Sequence, residues 1–186
     1  MSSSGRYEIR IAGFGGQGVI TVGKILGTAF SVFEGKNSVN TQSYGPESRG
    51  GACRSEVVVS DGKINYPYVR KADVFVALSQ LAFDAYIAEL KEGGILLVDP
   101  NSVRDISERD HYEVYEVPTA LIAHETGNAK YQNAVALGAL YPLIKDYLKE
   151  SSLREAMDEN VPPETREANM AAFAKGIQYI KDHYHK

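Results

Sequence analysis

Tyr7-Glu8-Ile9-Arg10-Ile11-Ala12 runs without a break into Gly13-Phe14-Gly15-Gly16-Gln17-Gly18, and then into Val19-Ile20-Thr21-Val22. The first six residues alternate, with Tyr7, Ile9 and Ile11 on one face, which predicts a strand. From Val19 to Phe33 the apolar positions Val22, Ile25, Leu26, Ala29, Phe30 and Phe33 fall at helical spacing, and Gly35 is placed to end that helix. The glycines at 13, 15 and 18 match G-x-G-x-x-G in the strand–turn–helix setting that gives the pattern physical meaning. Gly13 permits a tight turn, Gly15 and Gly16 expose bare backbone, and Gly18 allows close helix–strand packing. The N–H groups at the start of the helix attract an anion.

The rest of the chain extends this unit. Asn37 to Ser43 reads as a second strand, and Cys53 to Val59 and Lys63 to Tyr66 flank Asp61-Gly62, a hairpin signal. Ala72 to Leu78 and Gly94 to Asp99 are short apolar runs suited to buried strands, with a helix over Ala82 to Leu90 stopped by Gly93-Gly94. A strand over Tyr112 to Val117 is ended by Pro118, and Thr119 to His124 forms a short helix. A long helix covers Asn133 to Leu148, and another starts at Pro163, presenting Phe173, Ile177, Ile180 and Tyr184. Strands alternating with helices predict an α/β fold: a single Rossmann-like domain over residues 1–186 with a mostly parallel, mixed sheet flanked by helices. Residues 1–5 are expected to be a loose end, and 151–186 a helical C-terminal extension.

Composition narrows the function classes. The chain has 186 residues, 44% hydrophobic and 24% charged, as expected of a protein with a real core. Net charge is −4, so no nucleic-acid footprint is expected. The apolar runs are too short to span a bilayer, Met1 to Arg10 lacks a secretory pattern, and a single cysteine suits a reducing, cytoplasmic setting. The lone cysteine, Cys53, excludes an internal disulfide and an iron–sulfur cluster of the usual four-thiolate kind. It reads as a small buried side chain. His111, His124, His183 and His185 show no metal-ligand spacing, so no metal site is expected. Gln80, after the Ala72–Leu78 strand, reads as a helix cap ahead of a ligand contact. Asp99-Pro100-Asn101 reads as a strand-ending turn.

Two simple readings of the glycine loop fail. A dinucleotide site wants a carboxylate at the end of the second strand, but that strand ends in Asn40-Thr41-Gln42-Ser43, and Glu34 falls too early. No Lys-Ser or Lys-Thr follows the glycines, which removes the Walker reading. A packing or interface role therefore ranks first, a phosphate cradle second and hydride transfer last.

A second segment, Ser43-Tyr44-Gly45-Pro46-Glu47-Ser48-Arg49-Gly50-Gly51, is denser than an ordinary turn. Taken alone it is a solvated loop with a local ion pair. Together with Gly15-Gly16-Gln17-Gly18, and with Ala72 to Leu78 and Asn133 to Ala139, it resembles the gamma subunit of 2-oxoacid:ferredoxin oxidoreductases over most of the chain. That resemblance implies a role inside a larger enzyme. The enzyme oxidatively decarboxylates a 2-oxoacid to an acyl-CoA and reduces ferredoxin, or runs the reverse. The 2-oxoglutarate type is nearest. The resemblance implies partner alpha, beta and delta subunits that hold thiamine diphosphate with magnesium and the iron–sulfur clusters, with coenzyme A as co-substrate. No cofactor is bound by this chain alone and no catalytic residue is expected in it. Gly15, Gly16, Gln17, Gly18 and Arg49 are the expected phosphate or interface contacts, with Arg54 as a further cation. Tyr44, Gly45, Pro46, Glu47, Arg49, Gly50 and Gly51 are the expected interface. The alternative is a free-standing phosphate- or nucleotide-binding domain.

Overall fold

The computed structural model describes residues 5–43, 52–106 and 109–184. Six strands form one sheet: β1 (Arg6–Gly13), β2 (Asn37–Ser43), β3 (Cys53–Ser60), β4 (Ala72–Ala77), β5 (Leu90–Val98) and β6 (Glu113–Glu116), in the order β2-β3-β1-β4-β5-β6. Pairing is parallel from β1 through β4 and β5 to β6, and antiparallel in β1–β3 and β2–β3. The sheet is thus mixed, as expected, although the antiparallel part has a different origin. Asp61-Gly62 forms no hairpin and Lys63 to Tyr66 is not a strand. Both edges of β3 are already occupied, by β1 and β2, so no ladder position remains for another strand. Gly62 also lacks the positive φ that a two-residue hairpin turn demands.

The sheet has an apolar layer on each face. On one, α1 (Val19–Thr28), α4 (Gln132–Ile144), α5 (Glu150–Asn160) and α6 (Arg166–Tyr184) build the larger core with Ile9, Ile11, Val57 and Val76. On the other, α2 (Gln80–Tyr86) covers Ala12, Val58, Phe75 and Leu96. α3 (Thr119–Glu125) follows β6 and adds Ile122 and Ala123 to the larger core. Odd residues of β1 thus face the larger core and Ala12 the smaller, the period-2 division that a strand buried on both faces requires.

Helix boundaries depart from expectation in several places, and the expected Asn133–Leu148 helix is α4, which ends at Ile144. The predicted Val19–Phe33 helix is α1 followed by one π-helical turn, Ala29–Phe33. The Ala82–Leu90 helix begins earlier and ends at Tyr86. After it a short 3₁₀ turn leads into β5, which starts at Leu90 and carries Gly93-Gly94 inside a bulge opposite β4. The helix expected from Pro163 opens with a 3₁₀ turn before α6. α5 has no clear signature in the sequence; its amino end is held by Glu34, which accepts from Lys149 N–H at 3.0 Å and Ser152 Oγ at 2.6 Å.

Candidate functional site: the carboxyl edge of the sheet

The glycine loop leaves the carboxyl end of β1. Phe14 to Gln17 closes as a turn, with Gln17 N–H donating to Phe14 O at 3.3 Å and Gly16 at φ +91°. That left-handed conformation at the third turn position is nearly reserved for glycine. Gly18, at φ +71°, is the N-cap of α1.

Gln17 braces the loop from inside. Its Oε1 accepts from Phe14 N–H at 2.6 Å, and its Nε2 donates to Leu78 O at 2.9 Å, tying the loop to the end of β4. A methyl group on Gly13 would lie 2.4 Å from Gln17 Oε1 and 3.1 Å from Leu78 Cβ, so Gly13 is bare to admit this brace. A methyl group on Gly18 would lie 2.4 Å from Asn133 Nδ2; the start of α4 sits directly over the start of α1. Gly15 and Gly16 differ: nothing lies within 4 Å of the place a Cβ would take. They form an exposed tip whose bareness serves no contact with the described residues.

Four expected site residues therefore divide two ways. Gln17 and Gly18 are committed to the fold, while Gly15 and Gly16 face outward. Arg49 and the interface residues Tyr44, Gly45, Pro46, Glu47, Gly50 and Gly51 lie outside the described residues, as does His185. The residues flanking that segment, Ser43 and Ala52, stand at the same carboxyl edge as the loop, since Gly13 pairs with Cys53 and Ser43 with Arg54.

The missing carboxylate now has a structural reason. β2 runs in the same direction as β1, but β3 lies between them, so Ser43 is two strand spacings, about 10 Å, from β1. The position beside the loop belongs to the start of an antiparallel strand, Cys53 and Arg54. Burial pushes the Cys53 thiol up, and the side chain lies in the core. Arg54 is engaged within the chain: its guanidinium lies 5.3 Å from the Tyr86 ring and 3.8 Å from Glu56.

Glu56 belongs to a buried cluster that sequence reading missed. Arg10, 1% exposed, donates to Glu56 Oε1 from Nε at 2.9 Å and from Nη2 at 2.7 Å, and Nη2 also meets Glu89 Oε2 at 2.7 Å. The Arg10 guanidinium lies 5.0 Å from the Tyr86 ring centre. Charges at Arg10 and Glu56 in the alternating strands β1 and β3 look solvent-facing in sequence; only the strand order, unreadable from one chain, makes them neighbours under α2.

Further along the edge, Ser79 caps α2 by accepting from Ala82 N–H at 3.2 Å. Gln80, expected as the cap, instead holds the following loop: it accepts from Arg104 and Asp105 N–H and donates to Asp105 O. The turn expected at Asp99-Pro100-Asn101 is present, with Asp99 Oδ1 accepting from Asn101 N–H at 2.9 Å. Asp99 is fully buried, and its Oδ2 also accepts from Thr119 Oγ1 at 2.7 Å and Ala120 N–H at 2.9 Å, joining the ends of β5 and β6. The outer rim of this edge carries Phe14, Leu81 and Leu121, which are 51%, 38% and 54% exposed. Each stands where a strand gives way to a helix, so the carboxyl edge carries exposed apolar side chains after β1, β4 and β6. Among the described residues there is no group of three or more side chains able to hold a metal ion, and no helix long and apolar enough to cross a membrane.

Comparison with known proteins agrees with this architecture. The family model described as pyruvate ferredoxin/flavodoxin oxidoreductase matches residues 8–179. The chain is 46% identical over 179 residues to the 2-oxoglutarate synthase subunit KorC of Methanocaldococcus jannaschii, covering 95% of each. The gamma subunit of a keto/oxoacid ferredoxin oxidoreductase from Geobacter sulfurreducens is 40% identical, with a TM-score of 0.82 over 92% of this chain and 96% of that one. A 2-oxoglutarate:ferredoxin oxidoreductase from Magnetococcus marinus, with 2-oxoglutarate, coenzyme A and succinyl-CoA bound, is 26% identical with a TM-score of 0.84, covering 97% of this chain and 32% of that longer one. The chain belongs to the pyruvate ferredoxin/flavodoxin oxidoreductase family.

Proposed function

We propose that this chain is the gamma subunit of a cytoplasmic, multi-subunit 2-oxoacid:ferredoxin oxidoreductase of the 2-oxoglutarate type, and that it acts as one domain whose carboxyl edge supports the active site. The observation that carries this reading is the exposed Gly15-Gly16 tip. It is bare without any need among the described residues and held in place by Gln17; exposed Phe14 stands next to it in the loop, and exposed Leu81 and Leu121 stand at later strand–helix junctions of the same edge. Apolar side chains around a rigid polar backbone suit a subunit contact. The 46% identity to a 2-oxoglutarate synthase subunit supports the substrate type.

Within that enzyme the alpha, beta and delta subunits would hold thiamine diphosphate, magnesium and the iron–sulfur clusters. One buried cysteine does not fit the thiolate set of an iron–sulfur cluster, and no three described His, Cys, Asp or Glu side chains group as metal ligands. Thiamine diphosphate would supply the decarboxylation chemistry in the partners, and ferredoxin would be reduced through the complex. This chain's part is to orient and to exclude water. The N–H groups of Gly15, Gly16 and Gly18 have no acceptor among the described residues, so they are available to a neighbouring chain or to the phosphates of coenzyme A. Arg49 would add a cation beside them, and Tyr44, Gly45, Pro46, Glu47, Gly50 and Gly51 would extend the contact from their anchors at Ser43 and Ala52.

Reconstitution tests the reading. The purified chain alone should show no 2-oxoglutarate-dependent reduction of ferredoxin. The partner subunits should gain CoA-dependent activity when it is added. Full activity of the partners without it, or recovery of the native protein as a lone monomer, overturns the proposal.

A further inference from the structure

The opposite end of the sheet carries a second feature that the role proposed for the glycine loop does not use. A cavity of about 390 Å³ opens beside the first residue of β1 and the residues leading into β4. It is lined by Arg6, Lys63, Tyr66, Arg70, Lys71 and Lys91. Five cations around one cavity are unexpected in a protein whose net charge is −4.

The floor of the cavity is fixed. Glu8, 4% exposed, pairs with Arg6 and accepts from the N–H groups of Arg70 at 2.9 Å and Lys71 at 3.1 Å. Arg6 in turn donates to Tyr66 O at 2.8 Å and Tyr68 O at 2.9 Å. Two side chains of β1 thus hold the segment from Tyr66 to Lys71 by its backbone, so its cations stand on a rigid wall. Asp73 pairs with Lys91 and accepts from Glu8 N–H.

Charge is not balanced there. Arg6 is matched by Glu8 and Lys91 by Asp73. Lys63, Arg70 and Lys71 have no carboxylate partner among the described residues: Arg70 lies over the Tyr66 ring at 4.5 Å and Lys71 donates to Ala88 O at 2.8 Å. Two uncompensated cations on a preorganised wall, with Lys63 lining the same cavity, attract a compact, multiply charged anion. The volume falls within the usual range for small-molecule sites, which favours a small ligand over an acidic protein surface. Exposed Tyr66 offers a ring beside the cations, as base recognition requires.

We propose that this cavity is a binding site for a phosphate-bearing small molecule, with Lys63, Arg70 and Lys71 meeting phosphoryl oxygens. It lies a strand length, about 23 Å, from the glycine loop, so it is independent of any coenzyme A contact there. The test is calorimetric titration of the full chain with pyrophosphate and with ADP. Saturable binding is expected, weakening with added salt and falling about tenfold or more in the Lys63→Gln/Arg70→Gln variant, whose fold is checked by its melting curve. Gly15→Ala should leave this binding unchanged, which separates it from the carboxyl edge. Tighter binding of ADP than pyrophosphate, lost in Tyr66→Ala, identifies a nucleotide; equal binding identifies the phosphates alone. No saturable binding of either anion, affinity unchanged in the double variant, or equal competition by a poly-glutamate peptide overturns the proposal.

Discussion

Replacing Gly15 by alanine separates the needs of this chain from the needs of its neighbours. Gly15 has no positive φ, and an added methyl group meets nothing within 4 Å among the described residues. The isolated variant should therefore melt within about 0.5 kcal/mol of the parent, or slightly above it, because alanine restricts the unfolded chain. In the assembled enzyme the same methyl group would enter a packed contact. Overpacking of that kind costs about 1–3 kcal/mol, or roughly 5- to 150-fold in an equilibrium constant. Titrating the variant into the partner subunits and following 2-oxoglutarate- and CoA-dependent ferredoxin reduction should show weaker assembly, a raised KM for coenzyme A, or both. Gly18→Ala is the control with the opposite profile. Its φ of +71° costs about 1–2 kcal/mol in any L residue, and its methyl group strikes Asn133. It should lower the melting temperature of the isolated chain by roughly 2–8 °C. Unchanged assembly, rate and KM in Gly15→Ala would refute the idea that this tip is kept bare for a partner or ligand.

Other perturbations probe the supports of the site. Gln17→Ala leaves the Phe14 N–H and Leu78 O without their partner and should cost the isolated chain about 1–3 kcal/mol, read by urea unfolding. Arg10→Met strands buried Glu56 and should cost about 3–5 kcal/mol, whereas Arg10→Met/Glu56→Met should recover most of the loss in the same assay. Burial pushes the Glu34 carboxyl up, but hydrogen bonds from Ser152 and Lys149 and the charges of Lys149 and Lys36 outweigh it and hold the group below its usual range. Its contribution is therefore complete above the ordinary glutamate pKa and is lost as pH falls through the lowered one; Glu34→Gln should flatten that part of the acid-unfolding curve. A methyl group on Gly138 would lie 2.0 Å from Phe173 O, so Gly138→Ala should force α4 and α6 apart and prevent cooperative melting.

Much of the fold was legible because its signals are local. The alternation through Tyr7 to Ala12, the glycine turn and the helical spacing from Val22 to Phe33 each report their own backbone, and the structure follows them. The strand at Asn37–Ser43 was also legible, but its neighbours were not. Strand order depends on which edges are free, and the insertion of β3 between β1 and β2 removed the Asp61-Gly62 hairpin and the dinucleotide geometry together. Gln17 was legible only as part of the Gly15-Gly16-Gln17-Gly18 motif; its hydrogen-bond partners within the chain, Phe14 and Leu78, include one that is distant in sequence. The Arg10–Glu56 pair and the Asp99–Thr119 link stayed hidden for the same reason. Among charged and polar side chains, sequence shows type and spacing, and burial decides the role.

The contact between Gly138 and the backbone of α6 also bears on the order of biosynthesis. Gly176 completes it from the other side, its α-carbon facing Val135 O at a distance that no side chain would allow. The larger core thus takes its last wall from a helix that leaves the ribosome after every element it covers. A nascent chain that has already made the glycine loop still exposes the apolar face of α4. Such a chain is a poor docking partner and a good chaperone client. Joining of this protein to its enzyme is therefore expected to follow the closing of α6 over α4.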